Sequence, residues 1–205
     1  MGIPVLVLGE SGSGKTASLR NFEPNELGIF NVASKPLPFR KKLPMIQTSD
    51  YAQITGIMSK SDKKTFVIDD SQYLMCFENF AKAKETGYQK YTNMALNFYN
   101  LLQFVITKLP ADKIVYFLHH TEQDSNTGKI KAKTLGKMLD NQLTVEGLFA
   151  IVIMAVTDGK RHEFLLQSDG FSPVKTPMEM FPAERMDNDL KAVDTAIRQY
   201  YFEEA

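Results

Sequence analysis

A glycine-rich octapeptide near the amino terminus constrains this chain more than any other feature. Residues 9–16 read Gly-Glu-Ser-Gly-Ser-Gly-Lys-Thr and fit the pattern G-x-x-x-x-G-K-[ST]. The apolar residues 3–8 precede this segment and predict a buried strand, and residues 17–20 can continue as a helix. A strand, a glycine loop and a helix in this order are typical of a loop that binds nucleotide phosphates.

Each residue type in this segment has a physical role in phosphate binding. Glycines let backbone N–H groups curl around a phosphate without Cβ clashes, and a following helix would direct its positive end toward the same anion. Lys15 can reach the β- and γ-phosphates of ATP, and the Thr16 hydroxyl can ligate Mg²⁺. The alternative interpretation is an ordinary Gly- and Ser-rich turn. The predicted nucleotide-binding residues are Gly9, Glu10, Ser11, Gly12, Ser13, Gly14, Lys15 and Thr16.

A second signature is a short apolar segment, residues 65–70, that ends in two carboxylates. In phosphate-loop proteins, a strand beside the first one ends in an acid that holds the Mg²⁺ shell. We therefore expect Asp69 to lie on the metal side of the site. Asp70 has two open interpretations: it polarises the attacking water, or it caps the helix that follows.

A third signature is the apolar segment 113–118, which is followed by His119, His120, Thr121 and Glu122. Ligands of open α/β sheets bind at the carboxyl ends of strands, so this polar cluster predicts a group that senses the terminal phosphate, either His119 or His120. The alternative is that one histidine caps the strand and the other is solvated. A metal site is disfavoured because neither a cysteine nor a third histidine is nearby.

Four lysines, Lys129, Lys131, Lys133 and Lys137, fall within nine residues that contain no acid. We expect residues 124–133 to form a mobile polar loop and residues 135–143 a short helix. The lysines Lys129, Lys131, Lys133 and Lys137 are either part of a solvated turn or, because they follow the predicted sensor strand, a contact surface for nucleic acid. The chain has 24 basic and 24 acidic residues, so DNA binding would have to come from such a local patch.

The remaining patterns predict the fold. Helical periodicity is present over residues 94–109 and 190–201, and we expect further helices at 49–59 and 71–84. These predicted helices alternate with the apolar segments. Residues 148–157 and 162–167 read as paired strands around a turn. We therefore predict one α/β domain over residues 1–205, with three layers, a mostly parallel sheet and an antiparallel terminal hairpin. The single cysteine, Cys76, excludes an internal disulfide, and no apolar segment is long enough to span a membrane.

In this order of parts, the chain resembles the RecA-like ATPase core. It is most similar to the short phage-encoded recombination ATPases, which consist of that core and work beside single-strand DNA-binding or annealing proteins. The segments 35–40 and 177–181 contribute to the likeness. The resemblance implies Mg²⁺-dependent ATP hydrolysis, action on single-stranded DNA in recombination or replication, assembly into a homo-oligomer or filament, and a cytoplasmic location in a bacterial host.

The resemblance also carries roles onto individual residues. It implies a catalytic role for Lys15, a metal-side role for Asp69, a γ-phosphate sensor at His119 or His120, and a mobile DNA-binding loop at residues 121–134. It further implies that Lys175 reaches the ATP of a neighbouring subunit. One departure stands out: RecA-like enzymes have a catalytic Glu just after the second strand, whereas residues 31–34 read Asn-Val-Ala-Ser. Either Asp70 or Glu122 supplies the base, or hydrolysis is slow.

Three other functions are compatible with a phosphate-binding loop. A small-molecule kinase usually has an arginine-rich lid, but the five arginines of this chain are scattered. An AAA-type ATPase needs a helical lid domain, for which a single terminal helix leaves little room. A nucleotide-gated assembly protein that barely hydrolyses ATP fits the missing Glu. ATP turnover with and without single-stranded DNA distinguishes this last possibility from the RecA-like one.

Overall fold

The apolar segments of the sequence form the strands of one mixed sheet in the computed structural model, which describes residues 1–135 and 144–203. Within these residues the sheet has nine strands, in the lateral order β3-β2-β4-β5-β1-β7-β8-β9, and β6 pairs with the end of β5. The strands are β1 (Ile3–Gly9), β2 (Leu27–Asn31), β3 (Met45–Gln47), β4 (Thr65–Asp69), β5 (Ile114–Gln123), β6 (Ile130–Ala132), β7 (Ile151–Thr157), β8 (His162–Leu165) and β9 (Arg185–Asp187).

The six strands from β3 to β7 in this order run parallel, and β8 and β9 follow as antiparallel neighbours. The predicted α/β class, the mostly parallel sheet and the antiparallel terminal hairpin are therefore confirmed. The strand β9 was not predicted. The helices are α1 (Tyr51–Lys60), α2 (Tyr73–Ala81), α3 (Gln89–Lys108) and α4 (Leu190–Phe202), with short 3-10 helices at Thr16–Asn21 and Val145–Leu148.

Both faces of the sheet are covered because side chains alternate along each strand. In β1, Leu6 and Leu8 belong to the core shared with α1, α2 and α3. The intervening Val5 and Val7 belong to a second core, which includes α4 and the 3-10 helix Thr16–Asn21. Helices on both faces of one sheet are compatible with three layers, and they leave the carboxyl ends of the parallel strands open on one edge.

The helix predicted after the glycine loop is short. The segment after the glycine loop is a six-residue 3-10 helix rather than an α-helix, so the loop does not gain the aligned dipole of a long helix. The cap of the last helix is Asp189, whose side chain accepts hydrogen bonds from Lys191 N and Ala192 N. The short helix expected at 135–143 falls almost entirely outside the described residues.

Candidate functional site

An open cleft of about 330 Å³ lies at the carboxyl edge of the sheet, where β1 and β4 end beside His120 of β5. The register of β1 and β5 pairs Gly9 with His120, so the glycine loop and the histidine pair begin side by side. All three predicted signatures contribute residues to this cleft. Its lining residues are Ser11, Gly12, Gly14, Lys15, Thr16, Ala17, Lys35, Pro36, Pro38, Asp69, Asp70, His120 and His162.

The glycine loop, residues 9–16, wraps around the end of β1 and buries Lys15. The ammonium of Lys15 donates hydrogen bonds to the carbonyl oxygens of Gly9 at 2.7 Å and Glu10 at 2.8 Å. Burial lowers the pKa of Lys15 to about 8, against the opposing influence of the two nearby aspartates. Gly12 and Gly14 have φ angles of +83° and +100°, a region that favours glycine. The loop thus presents backbone and one ammonium to the cleft.

Thr16 and Asp69 meet across the cleft, although 53 residues separate them in the sequence. The Thr16 hydroxyl lies 2.9 Å and 3.2 Å from the two carboxylate oxygens of Asp69. Burial, followed by the charge of Asp70, raises the pKa of Asp69 to about 6. A hydroxyl and a carboxylate are hard oxygen donors of the kind that Mg²⁺ takes, so these two side chains fit the metal role that the sequence predicts.

No group of three or more His, Cys, Asp or Glu side chains in the described part of the chain is arranged to hold a metal ion. This does not conflict with the donors Thr16 and Asp69, because Mg²⁺ usually takes one or two carboxylates and completes its shell with water and substrate phosphates. We expected the strand that bears Asp69 to lie beside β1, but it does not. Strand β5 lies between β1 and β4, and the Thr16 side chain still reaches Asp69.

Asp70 adopts a left-handed backbone conformation, with φ of +60°. One carboxylate oxygen lies 2.7 Å from the ammonium of Lys35, and the other lies 3.1 Å from Nε2 of His120. Burial opposes ionisation, but the hydrogen bonds from His120 and Lys35 hold the pKa of Asp70 at about 2. Asp70 therefore does not use its side chain to cap α2. It is an ionised carboxylate that faces the cleft.

The structure separates the two histidines that the sequence left as alternatives. His120 lines the cleft and donates to Asp70. His119 is fully buried, with Nδ1 2.9 Å from Ser71 Oγ and Nε2 2.7 Å from the carbonyl oxygen of Lys133. A carbonyl only accepts, so Nε2 carries the proton and Nδ1 accepts from Ser71. Burial lowers the pKa of His119 to about 4, and its position outside the cleft lining favours His120 for direct contact with a ligand.

Lys35 is a cleft residue that was not predicted from the sequence. It follows a turn in which the buried Asn31 donates from Nδ2 to the Lys35 carbonyl at 2.7 Å and accepts from the Lys35 N–H at 3.1 Å. Asn31 pairs with Asp69 in the register of β2 and β4. The segment where a catalytic Glu was expected therefore holds a turn that brings a lysine to Asp70. The only sequence signal was a polar residue before a proline-rich loop.

His162 is a second cleft residue that was not predicted from the sequence. It lines the cleft, and its Nδ1–H donates to the Ser13 carbonyl oxygen at 3.1 Å. A Cβ added at Gly14 would come within 3.0 Å of His162 Nδ1 and 3.2 Å of Asn188 Oδ1. The terminal hairpin therefore packs directly on the glycine loop. No local sequence motif predicts this contact, because the partners are about 150 residues apart in the chain.

Two other predicted catalytic residues lie outside the cleft lining. Glu122 is in the part of β5 that pairs with β6, and its carboxylate lies 2.9 Å from the ammonium of Lys131. Lys175 is exposed and forms an isolated antiparallel bridge with Val152, with two backbone hydrogen bonds. Asp70 is thus better placed than Glu122 to act on a ligand in the cleft.

The predicted mobile loop at residues 124–133 is largely an ordered hairpin, which we call the lysine hairpin (residues 121–133). Strand β5 continues to Gln123 and pairs with β6, and the Asp124 side chain accepts from the backbone N–H groups of Asn126 and Thr127 in the turn. Lys129 and Lys133 are exposed, and Lys131 is partly buried beside Glu122. Lys137 lies outside the described residues.

None of the helices in residues 1–135 and 144–203 combines the length and the apolar character needed to cross a bilayer. Comparisons with protein-family models and with curated proteins gave no match to this chain.

Proposed function

We propose that this protein is a Mg²⁺-dependent ATPase with a RecA-like core that acts with single-stranded DNA. The observation that carries the proposal is the meeting of Thr16 and Asp69 at 2.9 Å beside the buried ammonium of Lys15. A phosphate-loop pattern by itself is only a sequence hypothesis. Its support here is that a lysine, a hydroxyl and a distant carboxylate converge at the carboxyl edge of the sheet, where open α/β folds bind ligands.

Each cleft residue then has a chemical role. Lys15 and the backbone of the glycine loop would hold the phosphates of ATP, and Thr16 and Asp69 would hold Mg²⁺, which neutralises charge on those phosphates when bound. Asp70 has a pKa of about 2. It is therefore better suited to accept a hydrogen bond from water and orient it than to remove a proton as a strong base. In hydrolysis, the water oxygen bonds to the terminal phosphorus, the bond to the bridging oxygen breaks, and the water proton passes to phosphate or solvent.

The lysine hairpin supports the DNA part of the proposal. Lys129 and Lys133 are exposed on one segment, and phosphate contacts from such lysines bind a single strand without reading its bases. The hairpin is hydrogen-bonded to a residue that lines the cleft, because the Lys133 N–H donates to the His120 carbonyl oxygen at 2.9 Å. A single-strand DNA-binding or annealing protein is the partner that the family resemblance implies.

Assembly is the remaining part of the proposal. Lys175 is exposed and absent from the lining of the cleft in its own chain, so a contact with nucleotide would be made to a neighbouring subunit in a homo-oligomer or filament. Mixing Lys15→Ala subunits with Lys175→Ala subunits should restore some ATPase activity, because one interface can then hold both intact lysines. A monomer at all concentrations with ATP and DNA, measured by light scattering, would contradict assembly.

One observation favours a second candidate, a nucleotide-gated assembly protein with little turnover. Both oxygens of Asp70 are engaged, by Lys35 and His120. Within the described residues, the carboxylates that line the cleft are Asp69 and Asp70, and Asp69 is assigned to Mg²⁺. Unless Asp70 becomes free, no carboxylate in this lining remains to orient a water molecule.

The test is the rate of ATP hydrolysis with Mg²⁺ in the absence of DNA, with single-stranded DNA and with double-stranded DNA. The ATPase proposal predicts turnover that single-stranded DNA increases. Tight ATP binding with negligible turnover under all three conditions would support the assembly protein. Failure to bind ATP would contradict both candidates.

A further inference from the structure

Lys35 combines a fixed backbone with a largely exposed side chain. The Asn31 side chain donates one hydrogen bond to the Lys35 carbonyl and accepts one from the Lys35 N–H, which holds the Lys35 backbone close to the end of β2. In contrast, its side chain is 57% exposed, whereas the Asp70 side chain with which it pairs is 10% exposed. A lysine ammonium is a compact charge on a flexible four-carbon chain. Lys35 can therefore change its partner within the cleft without movement of the main chain.

The present partners of Lys35 leave it in reach of a ligand. Its ammonium lies 2.7 Å from Asp70 Oδ2 and 5.3 Å from the centre of the Tyr73 ring. Lys35 also lines the same cleft as Lys15 and Thr16. If Lys35 leaves, Asp70 is not an unpaired buried charge, because Nε2 of His120 remains 3.1 Å from Oδ1. The ion pair can therefore open without the large penalty of an isolated buried carboxylate.

A triphosphate adds a competitor for this ammonium. Its terminal phosphate carries more negative charge than a carboxylate and has three acceptor oxygens, and charge-assisted bonds to such groups are among the stronger hydrogen bonds in proteins. We propose that Lys35 exchanges Asp70 for the terminal phosphate of a bound nucleoside triphosphate, and that this exchange lets the protein distinguish a triphosphate from a diphosphate. This inference rests on the proposed nucleotide function of the cleft.

The exchange also changes the state of Asp70. With a diphosphate, both carboxylate oxygens stay engaged. With a triphosphate, Oδ2 is released and can accept a hydrogen bond from water, while His120 still orients the carboxylate through Oδ1. Lys35 thus acts as a specificity-determining residue that links the identity of the nucleotide to the availability of Asp70.

The test compares the affinities of a non-hydrolysable ATP analogue and of ADP, both with Mg²⁺, by calorimetry. Lys35→Met keeps most of the side-chain length but removes the charge. We expect it to weaken binding of the triphosphate analogue about tenfold, as for loss of one charge-assisted bond, and to leave ADP affinity within about twofold. Lys35→Arg should restore part of the preference. The matched control is Lys41→Met, because Lys41 lies in the same proline-containing segment, pairs with Glu23 and does not line the cleft.

Asp70→Asn provides an independent variant with the opposite expected effect. It removes the carboxylate that competes for Lys35, so affinity for the triphosphate analogue should rise several-fold while ADP affinity stays unchanged. Equal changes in both affinities, or no change in either, in the Lys35→Met protein would overturn the exchange while leaving the nucleotide function intact. Binding of neither nucleotide by the unmodified protein would overturn the proposed function and the exchange together.

Discussion

The backbone N–H of Lys133 donates a hydrogen bond to the carbonyl oxygen of His120 at 2.9 Å. The neighbouring His119 reaches the carbonyl oxygen of Lys133 from the other direction, at 2.7 Å through Nε2. The lysine hairpin is therefore bonded to the strand end that carries His120 into the cleft. A ligand that shifts the hairpin would act on His120 and, through it, on Asp70.

The first prediction concerns DNA binding by this hairpin. In the double variant Lys129→Ala/Lys133→Ala, the slope of log affinity against log salt should become shallower by about 1.4, since each phosphate contact to a single strand contributes roughly 0.7. Binding should weaken equally for all base sequences. Fluorescence anisotropy with labelled single-stranded DNA at several salt concentrations measures this slope.

The control for the DNA experiment is Lys60→Ala/Lys108→Ala. These two exposed lysines end α1 and α3 and precede the amino ends of β4 and β5, opposite the cleft. Their removal changes net charge by the same amount but should leave the slope unchanged. An unchanged slope in the hairpin variant, or an equal change in the control, would indicate that the hairpin lysines are only solvated.

A second prediction concerns the pH dependence of stability, in which His119 and Asp69 oppose each other. The pKa of His119 is lowered from 6.5 to about 4, so its contribution is present above pH 6.5 and is lost as pH falls toward 4. The pKa of Asp69 is raised from 3.8 to about 6, so its contribution is present below pH 3.8 and is lost as pH rises through 6. A difference of about two pH units corresponds to about 3 kcal/mol for each residue.

Single substitutions should therefore expose opposite pH profiles. Without nucleotide or Mg²⁺, the Asp69→Asn protein should lose unfolding free energy as pH falls from 6.5 to 4, because it retains His119 but no longer has the opposing Asp69 carboxyl. His119→Gln should gain unfolding free energy over the same range. Urea denaturation at several pH values measures both profiles. Parallel profiles for the two variants would contradict the assigned pKa directions.

The third prediction compares two glycines of the same loop. Gly12 and Gly14 both have positive φ, but a Cβ at Gly12 meets nothing within 4 Å, whereas one at Gly14 meets His162 and Asn188. Gly12→Ala should lower the unfolding free energy by about 1–2 kcal/mol from backbone strain alone. Gly14→Ala should lower it by about 1 kcal/mol more, because the terminal hairpin must give way. Equal losses in urea denaturation would show that the hairpin does not pack on the loop as described.

The fourth prediction concerns the residue that acts on water. If Asp70 orients it, Asp70→Asn should lower the rate of ATP turnover at least tenfold, or about 1.4 kcal/mol of transition-state stabilisation, while ATP affinity does not fall. Glu122→Gln should leave turnover nearly unchanged, because Glu122 pairs with Lys131 outside the cleft lining. The reverse pattern in steady-state kinetics would transfer the role to Glu122.

The sequence predicted those parts of the structure that depend on local periodicity. The continuous burial of residues 5–8 and 65–69, and the helical spacing of the buried Met94, Phe98 and Leu102, follow from apolar patterns within one element. The meeting of Thr16 and Asp69 was anticipated because both motifs end or follow strands at the same edge of a parallel sheet. The lateral order of the strands was not predicted, since neither segment contains a sequence signal that places β5 between β1 and β4.

The missed parts depend on long-range contacts. Residues 119–123 are polar and read as a strand end, but pairing with β6 extends β5 through them. Lys35 and His162 reach the cleft through a turn held by Asn31 and through a terminal hairpin, respectively. Neither residue belongs to a sequence motif. The position of each is fixed by backbone and side-chain partners that come together only in the folded chain.

The most direct test of nucleotide binding in this cleft is the affinity of the purified protein for Mg²⁺-ATP, measured by calorimetry beside Lys15→Ala and the control Lys41→Ala. Lys15 donates two hydrogen bonds within the loop, so thermal denaturation should first establish that the variant is folded. We predict that the unmodified protein and Lys41→Ala bind Mg²⁺-ATP alike, and that Lys15→Ala binds at least about tenfold more weakly. Equal affinity in a folded Lys15→Ala protein, or no binding by the unmodified protein, would contradict the proposal that this cleft is a nucleotide site.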